Sequence, residues 1–234
     1  MKKILILFTL IIFYNSTTSI GQRIDRIEIG IGFGTNSFNW SIYDTVNKKT
    51  VNTLRNKIDL IPVLRMSIQK DLLLKKNYTL GIQPFIGYYT FGGTSRIESN
   101  GYKDKIRLNS IELGIIPNLT IKKYFQVGIG LKGQYILKAT SKSFGTIDKG
   151  SVDSTTWKNY DMSDWFKPTS LNMGLTFRYL RNKYSFGFEY WYGLTNLNKI
   201  FAKEFKPMMR ETNARLIFTY NLKSLKKSTK KDKK

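Results

Sequence analysis

Apolar and polar residues alternate with a period of two along most of the chain after residue 22. In eight segments one parity is aliphatic or aromatic, and the other is mostly glycine, serine, threonine, asparagine or glutamine. These segments are residues 27–33, 58–68, 78–88, 111–121, 125–137, 171–179, 184–194 and 214–222. A period of two indicates strands whose successive side chains point to opposite faces. The pattern therefore predicts an all-β chain with eight strands.

The composition of the small and polar face distinguishes a membrane barrel from a soluble β protein. In a soluble sandwich the apolar face packs inward and the outer face is rich in charged residues and threonine, whereas glycine leaves little to solvate. A narrow barrel interior, in contrast, takes small residues and a few polar ones. Long segments that are apolar outside and polar inside are typical of membrane barrels. We therefore predict an eight-stranded antiparallel up-and-down transmembrane β-barrel, with a soluble lipocalin-like barrel as the alternative.

Long and short connections alternate between the predicted strands. The short ones cover residues 70–76, 122–123 and 181–183, and the long ones cover 38–56, 92–106, 139–168 and 196–210. Because outer-membrane barrels have short periplasmic turns and longer external loops, we expect both termini and all short turns on the periplasmic side.

Three prolines fall inside the predicted strands. Pro62, Pro84 and Pro117 are at outward mid-strand positions, where a closed barrel has no free edge, so the pattern predicts bulges or interrupted pairing there.

Aromatic residues near the strand ends predict two interfacial girdles. The girdle near the long loops is Phe38, Trp40, Tyr88, Tyr89, Phe91, Tyr135, Trp191 and Tyr192, and the girdle near the turns is Tyr78, Tyr124, Phe125, Tyr179, Tyr184 and Tyr220.

The first 21 residues have the order of a secretory signal peptide. Lys2 and Lys3 precede an apolar run over residues 4–14, and Ser19 and Gly21 provide small residues for cleavage. The run is about eleven residues, whereas a spanning helix needs about 20. We predict a signal peptide over residues 1–21, a barrel over 22–222, and a basic, disordered periplasmic tail over 223–234. The predicted location is the outer membrane of a Gram-negative bacterium.

Composition excludes most familiar enzyme chemistry. The chain has 39 Lys and Arg, 16 Asp and Glu, and no His or Cys. Without Cys there are no disulfides and no thiolate catalysis, and without His there is no Ser-His activation and little prospect of a zinc enzyme. We therefore expect no enzymatic activity, no metal and no cofactor. A lipid-modifying enzyme, the alternative in this class, would need a base other than His. Export argues against a nucleic-acid partner despite the positive charge.

Residues 109–142 resemble the outer-membrane β-barrel domain family called PorT-like. The matching residues are Glu112, Pro117, Gly128, Gly130, Tyr135, Leu137, Ala139 and Lys142. The resemblance implies an eight-stranded barrel in the outer membrane and implies no reaction. Some members of that family assist secretion across the outer membrane.

Charged residues on the inward parity are balanced in number. The acids are Glu28, Asp59, Glu112 and Glu189, and the bases are Arg65, Lys132, Arg178 and Arg215. Since unpaired charge is costly in a narrow lumen, this balance predicts an internal salt-bridge network that plugs the barrel. The alternative, a pair of carboxylates acting as acid and base, would need a cleft that substrate can enter.

Two further features concern partners. Basic residues concentrate at the predicted turns and in the tail, which indicates either a solvated rim or attraction to anionic lipid or an acidic periplasmic protein. The longest loop carries Trp157, Tyr160, Trp165 and Phe166, which either contact a partner at the cell surface or pack on the barrel mouth. The sequence thus predicts a structural or interaction role in outer-membrane lipid. The alternative is a PorT-like accessory component of a secretion system.

Overall fold

The protein is described by a computed structural model, which covers residues 26–44, 49–51, 59–96, 103–148, 151–181, 183–199 and 205–224. These residues form ten strands and one short 3-10 helix, Ser163–Trp165. The strands are β1 (Arg26–Asp44), β2 (Lys49–Val51), β3 (Asp59–Leu74), β4 (Tyr78–Arg96), β5 (Lys103–Ile121), β6 (Phe125–Asp148), β7 (Ser151–Asp161), β8 (Thr169–Arg181), β9 (Tyr184–Gly193) and β10 (Phe205–Ser224). The predicted signal peptide and nearly all of the predicted tail lie outside the described residues.

Eight of the strands form a closed ring. Neighbours around the ring are β1, β3, β4, β5, β6, β8, β9 and β10, all antiparallel, and β10 pairs with β1 to complete it. The two remaining strands are accessory, since β2 pairs with the end of β1 and β7 with the end of β6. The structure therefore confirms the predicted fold class, an antiparallel up-and-down β-barrel with eight strands in the ring.

Strands extend well into the segments that the sequence predicts as long loops. β4 and β5 stay paired up to Arg96 and Lys103, and β6 continues to Asp148, where it pairs with β7. The reason is visible in β5, where Ile106 and Leu108 lie at buried, inward positions before the predicted strand start. The need for apolar outward side chains ends at the membrane boundary, but the hydrogen-bonded pairing of the strands continues beyond it.

Each of the three prolines is paired with a neighbouring strand on one side only. Pro62 has a partner on β1, Pro84 on β5 and Pro117 on β4. On the opposite side the pairing of β3 with β4, or of β5 with β6, ends or is interrupted beside each proline. Proline has no backbone N–H to donate, so in a closed ring the hydrogen bonding to one of its two neighbouring strands must be interrupted. The predicted loosening in these strands is confirmed.

The short turns and the described ends of the barrel lie at one end of the ring. Arg26, at the start of β1, is paired with Ser224 at the end of β10 and with Gln69 of β3. Between β5 and β6, the turn includes Lys122 and Lys123, which have φ angles of 48° and 65°. Both lysines occupy the left-handed region, which is unfavourable for residues with a Cβ.

Side chains alternate between the two faces of the wall outside the bulges, as in β8, where exposed and buried positions alternate from Thr169 to Arg181. The core therefore lies inside the ring. Apolar residues on the inward parity are buried there, and they include Ile61, Val63, Phe85, Ile116, Ile136 and Ile217. No helix among the described residues is long and apolar enough to cross a membrane.

Candidate functional site

The outer wall of the barrel is a continuous apolar surface. Every strand of the ring contributes exposed large apolar side chains, and these include Ile31, Leu64, Ile86, Leu113, Ile129, Leu175, Phe188 and Leu216. Soluble monomers rarely expose apolar patches beyond a few hundred Å². Such a wall is stable against lipid, and a closed ring leaves no unpaired sheet edge in the hydrocarbon.

The aromatic girdle at the turn end of this wall is present as predicted. All six predicted aromatics are exposed there. The rings of Phe125 and Tyr179 are 5.5 Å apart, and those of Tyr184 and Tyr220 are 5.4 Å apart. At the loop end, Tyr88 and Tyr135 are exposed as expected.

Three aromatic residues predicted for the loop-end girdle lie in the lumen instead. Tyr89, Phe91 and Trp191 are fully buried. The prediction is wrong for them because Tyr88 and Tyr190 point outward, which turns their neighbours inward. The side chains of Phe38 and Trp40 lie outside the described part of the chain.

An apolar wall with a polar interior, closed by eight strands, defines the class of protein: an integral membrane β-barrel. Bacterial single-chain barrels of this kind reside in the outer membrane. The predicted outer-membrane location is therefore confirmed.

Five charged side chains meet in the middle of the lumen, and we call them the central network: Arg65, Lys132, Arg215, Glu112 and Glu189. The guanidinium of Arg65 makes a two-point contact with the carboxylate of Glu189, with Nη2 donating to Oε2 at 2.7 Å. Its Nη2 also lies 3.6 Å from an oxygen of Glu112. Arg65 therefore links the two acids.

Glu112 is the centre of this network. Arg215 Nη1 donates to its Oε1 at 2.7 Å, and Lys132 Nζ donates to its Oε2 at 3.0 Å. The Glu112 side chain has no solvent exposure, and neither do those of Arg215 and Lys132. A fully buried carboxylate is stable only with compensation of this kind.

Aromatic rings surround the cations. The guanidinium carbon of Arg65 lies 4.1 Å from the ring centre of Phe85, and that of Arg215 lies 3.8 Å from the ring centre of Tyr89. Lys132 Nζ is 5.0 Å from the ring of Trp191, whose indole N–H donates to Glu189 at 2.9 Å. These rings fill the lumen between the charges, so the central network is closely packed.

Glycines make space for this filling. A Cβ at Gly174 would lie 2.5 Å from Cε3 of Trp191, and a Cβ at Gly114 would lie 2.5 Å from Cε1 of Phe85. These inward glycines therefore have a specific cause, since large rings from the neighbouring paired strands occupy the volume above them.

A second buried pair lies nearer the turns. Arg178 Nη2 donates to Glu28 Oε2 at 2.7 Å, and Gln83 Nε2 donates to the same oxygen at 2.9 Å. Arg178 also donates to the hydroxyl of Ser185 at 2.6 Å. Below this pair, the side-chain amides of Gln69, Asn118 and Gln126 hydrogen-bond to one another, and they fill the turn end of the lumen.

The loop end of the lumen is closed by an apolar cap. It contains Ile61, Val63, Tyr89, Phe91, Ile106, Leu108, Ile136, Ala139, Phe166, Leu197, Met209 and Ile217. Two of these, Phe166 and Leu197, come from the connections around β8 and β9. Backbone hydrogen bonds from Lys167 to Leu197 (2.8 Å) and from Leu197 to Met209 (2.8 Å) hold them in place.

The structure brings the predicted lumen residues into two groups. Glu112, Glu189, Arg65, Lys132 and Arg215 lie in the central network, and Glu28 pairs with Arg178. The side chain of Asp59 lies outside the described part of the chain. In the charge balance of the described lumen, the fourth acid is Glu211, which is buried and lies 3.9 Å from Lys132 Nζ.

Glu211 is a residue that sequence reasoning missed. The last strand was predicted to begin at residue 214, but Glu211 continues the inward parity of Asn213 and Arg215. Its carboxylate accepts a hydrogen bond from the Asn213 amide, which in turn accepts from Arg215 Nε at 2.9 Å. The extended parity was the signal that could have found it.

The four loop aromatics separate into different environments. Tyr160 and Trp165 are 45% and 47% exposed, whereas Phe166 is buried in the apolar cap. Phe166 thus follows the packing alternative and presents no surface to a partner. The side chain of Trp157 lies outside the described part of the chain. Within that part, no group of three or more acidic side chains is placed to hold a metal ion.

Solved outer-membrane barrels are similar in architecture at low identity. The attachment invasion locus protein Ail of Yersinia pestis is 11% identical over 85% of this chain and 99% of that chain, with a TM-score of 0.41. OprG of Pseudomonas aeruginosa is 15% identical over 86% and 97%, with a TM-score of 0.40. The outer-membrane protease OmpT of Escherichia coli is 13% identical over 88% and 99%, with a TM-score of 0.36.

No family model and no curated protein sequence matches the chain. At these identities and TM-scores the alignments assign neither an activity nor a ligand to this protein.

Proposed function

We propose that this protein is a closed, non-conducting outer-membrane barrel with a structural or interaction role and no enzymatic activity. The observation that carries the proposal is the central network, in which three bases hold Glu112 without solvent exposure. A water path through the barrel would have to separate these buried pairs and also open the apolar cap. Because breaking one buried pair costs about 3–5 kcal/mol, a steady open state is unfavourable.

The same contacts argue against acid-base catalysis in the lumen. A general acid or base must reach a proton on a bound substrate. Glu112 and Glu189 are fully buried among cations and rings, so neither carboxylate faces a cleft that a substrate could enter.

Conductance in planar bilayers tests this proposal. The mature protein should give little or no steady current. Glu112→Gln should produce flickering openings, because it leaves Arg215 and Lys132 without their shared acid, whereas Asp164→Asn, an exposed acid outside the lumen, should not. Large, stable, ohmic channels from the unmodified protein would overturn the closed-lumen proposal.

A second candidate function is a PorT-like accessory role in secretion, through the basic periplasmic face. The supporting observation is a ring of exposed bases at the turns: Lys75, Lys76, Lys122, Lys123, Arg181 and Lys183. A basic rim of this kind attracts an acidic partner at low ionic strength.

Deletion of the gene tests the secretion role, since loss of export of other proteins would support it and normal export would exclude it. Crosslinking in intact cells should then capture a periplasmic partner that is released by salt or by replacing the turn lysines with glutamine. Deleting residues 226–234 tests the tail separately, and we expect assembly and the crosslinking pattern to stay unchanged.

A further inference from the structure

Outward-facing bases cluster at the loop ends of β5 and β6. On β5, Ile106 and Leu108 are buried in the apolar cap, so Lys105 and Arg107 point out of the barrel. On β6, buried Ala139 and Ser141 turn Lys138 and Lys142 outward in the same way. We call Lys105, Arg107, Lys138 and Lys142 the outer basic patch.

Strand geometry places this patch just above the apolar wall. With about 3.4 Å of rise per residue and a tilt of about 45°, each residue adds about 2.4 Å along the membrane normal. Leu137, exposed in the apolar wall, then lies about 29 Å above Phe125 in the turn-end girdle, and Lys138, Arg107 and Lys105 lie at about 31–38 Å. The apolar band of such barrels is about 25 Å tall, so these bases lie at the level of the lipid headgroups.

The register brings the bases close together. Lys105 is directly opposite Lys142 in the β5–β6 ladder, and Arg107 is opposite Thr140, between Lys138 and Lys142 on the neighbouring strand. Like charges directly opposite each other destabilise a strand pair. An anion bound between them would remove this repulsion.

Among the side chains that the structure describes, the acid that borders the patch is Asp161. Asp161 of β7 is opposite Thr140 and near Lys138, and it accepts hydrogen bonds from the hydroxyl and backbone N–H of Ser163 at 2.7 and 2.9 Å. These hydrogen bonds hold the pKa of Asp161 below its usual value, with a smaller contribution from the charge of Lys138. The described side chains at this position, four bases and Asp161, carry a net positive charge.

We propose that the outer basic patch binds the phosphate groups of an anionic glycolipid in the outer leaflet of the outer membrane. The inference goes beyond the proposed function and rests on the outer-membrane location. A lipid fits better than a soluble partner because the bases face sideways and are continuous with the apolar wall. Ile111 of β5 and Leu137 of β6 lie directly below them, so one lipid can place acyl chains on the wall and phosphates on the patch.

Site-specific photo-crosslinking in intact cells tests the proposal. A photoreactive residue is placed at Asn109, which is paired with Lys138 inside the patch, or at Met208, which is exposed at a similar height on the opposite side of the ring. The readout is a protein band that also carries lipopolysaccharide. Heat-modifiable migration of the same sample reports folding, so failed insertion is distinguished from failed binding.

We expect crosslinking at Asn109 to exceed that at Met208 at least fivefold. The triple variant Lys105→Gln, Lys138→Gln and Lys142→Gln should lower it at least fivefold with unchanged folding. A matched triple variant at the turns, Lys75→Gln, Lys76→Gln and Lys183→Gln, should leave it unchanged. Equal crosslinking at both probe positions, or a patch variant that crosslinks normally, would overturn the proposal.

Purified protein in phosphatidylcholine vesicles identifies the recognised group. Bisphosphorylated lipid A should crosslink to the Asn109 probe, and its dephosphorylated form should crosslink at least tenfold less. If both forms crosslink equally, the phosphates are not the ligand and the proposal fails.

Discussion

Replacing Glu112 by glutamine removes the one acid that three lumen cations share. The nearest cation atoms lie at 2.7 Å (Arg215), 3.0 Å (Lys132) and 3.6 Å (Arg65). Glutamine has nearly the same shape, so no cavity forms and the effect is electrostatic. Removing one partner of a buried pair costs about 3–5 kcal/mol. We expect Glu112→Gln to lower the free energy of unfolding by at least about 3 kcal/mol, since solvent does not reach the site.

Urea unfolding in lipid vesicles, followed by heat-modifiable migration, measures this loss. Asp164→Asn, an exposed acid paired with Lys199 at 4.0 Å, is the matched control and should change stability by less than about 1 kcal/mol.

A double variant separates charge from other causes. Lys132→Met removes one base beside the rings of Tyr89 and Trp191, which can pack against a thioether. Combined with Glu112→Gln, it restores equal numbers of acids and bases and should recover at least about 1 kcal/mol relative to the single variant. If Glu112→Gln is as stable as the control, or the double variant is no better than the single one, the electrostatic account of the lumen is refuted.

Three further predictions concern the apolar wall, the lumen and the turns. Ile129→Arg, at an exposed position of the apolar wall, should cost about 2–4 kcal/mol and impair insertion, whereas Ile129→Val should insert normally. Gly174→Ala should cost about 1–3 kcal/mol in urea unfolding because its Cβ meets Trp191, whereas Gly133→Ala, whose nearest atom lies at 4.0 Å, should be tolerated. Lys123→Gly should raise the unfolding midpoint by relieving a φ of 65°, worth about 1 kcal/mol, and a lowered midpoint would contradict that reason.

The sequence predicts the ring well because lipid imposes one rule on every strand. All outward positions within the membrane must be apolar, so the period of two is clear and the lumen residues follow from parity. That rule ends at the headgroups. The upper parts of β5 and β6 therefore look like loops in the sequence, although Ile106 and Leu108 continue the inward parity of β5. In β6, Ala139 faces inward only after a shift of register between Ile136 and Lys138.

The contacts within the lumen are harder to predict. Parity identifies Glu112 and Arg215 as inward residues, but their pairing joins β5 to β10 across the barrel, and sequence spacing does not determine that distance. The apolar cap depends on Phe166 and Leu197, which lie in irregular segments without a period. Aromatic residues are ambiguous for a further reason, since Trp191 suits an interface and a packed lumen equally well.

The broken ladders beside the prolines also decide where the barrel wall is mechanically weakest. The seam between the first and last strands is held by an unbroken run of pairs along β1, from Arg26 to Asp44, with one shift of register. The β3–β4 seam, by contrast, is paired only over Val63–Ser67 and again from Lys70 to Leu74. Under a pulling force the sheet should therefore separate first between β3 and β4, in its N-terminal half. The first and last strands, β1 and β10, should stay paired.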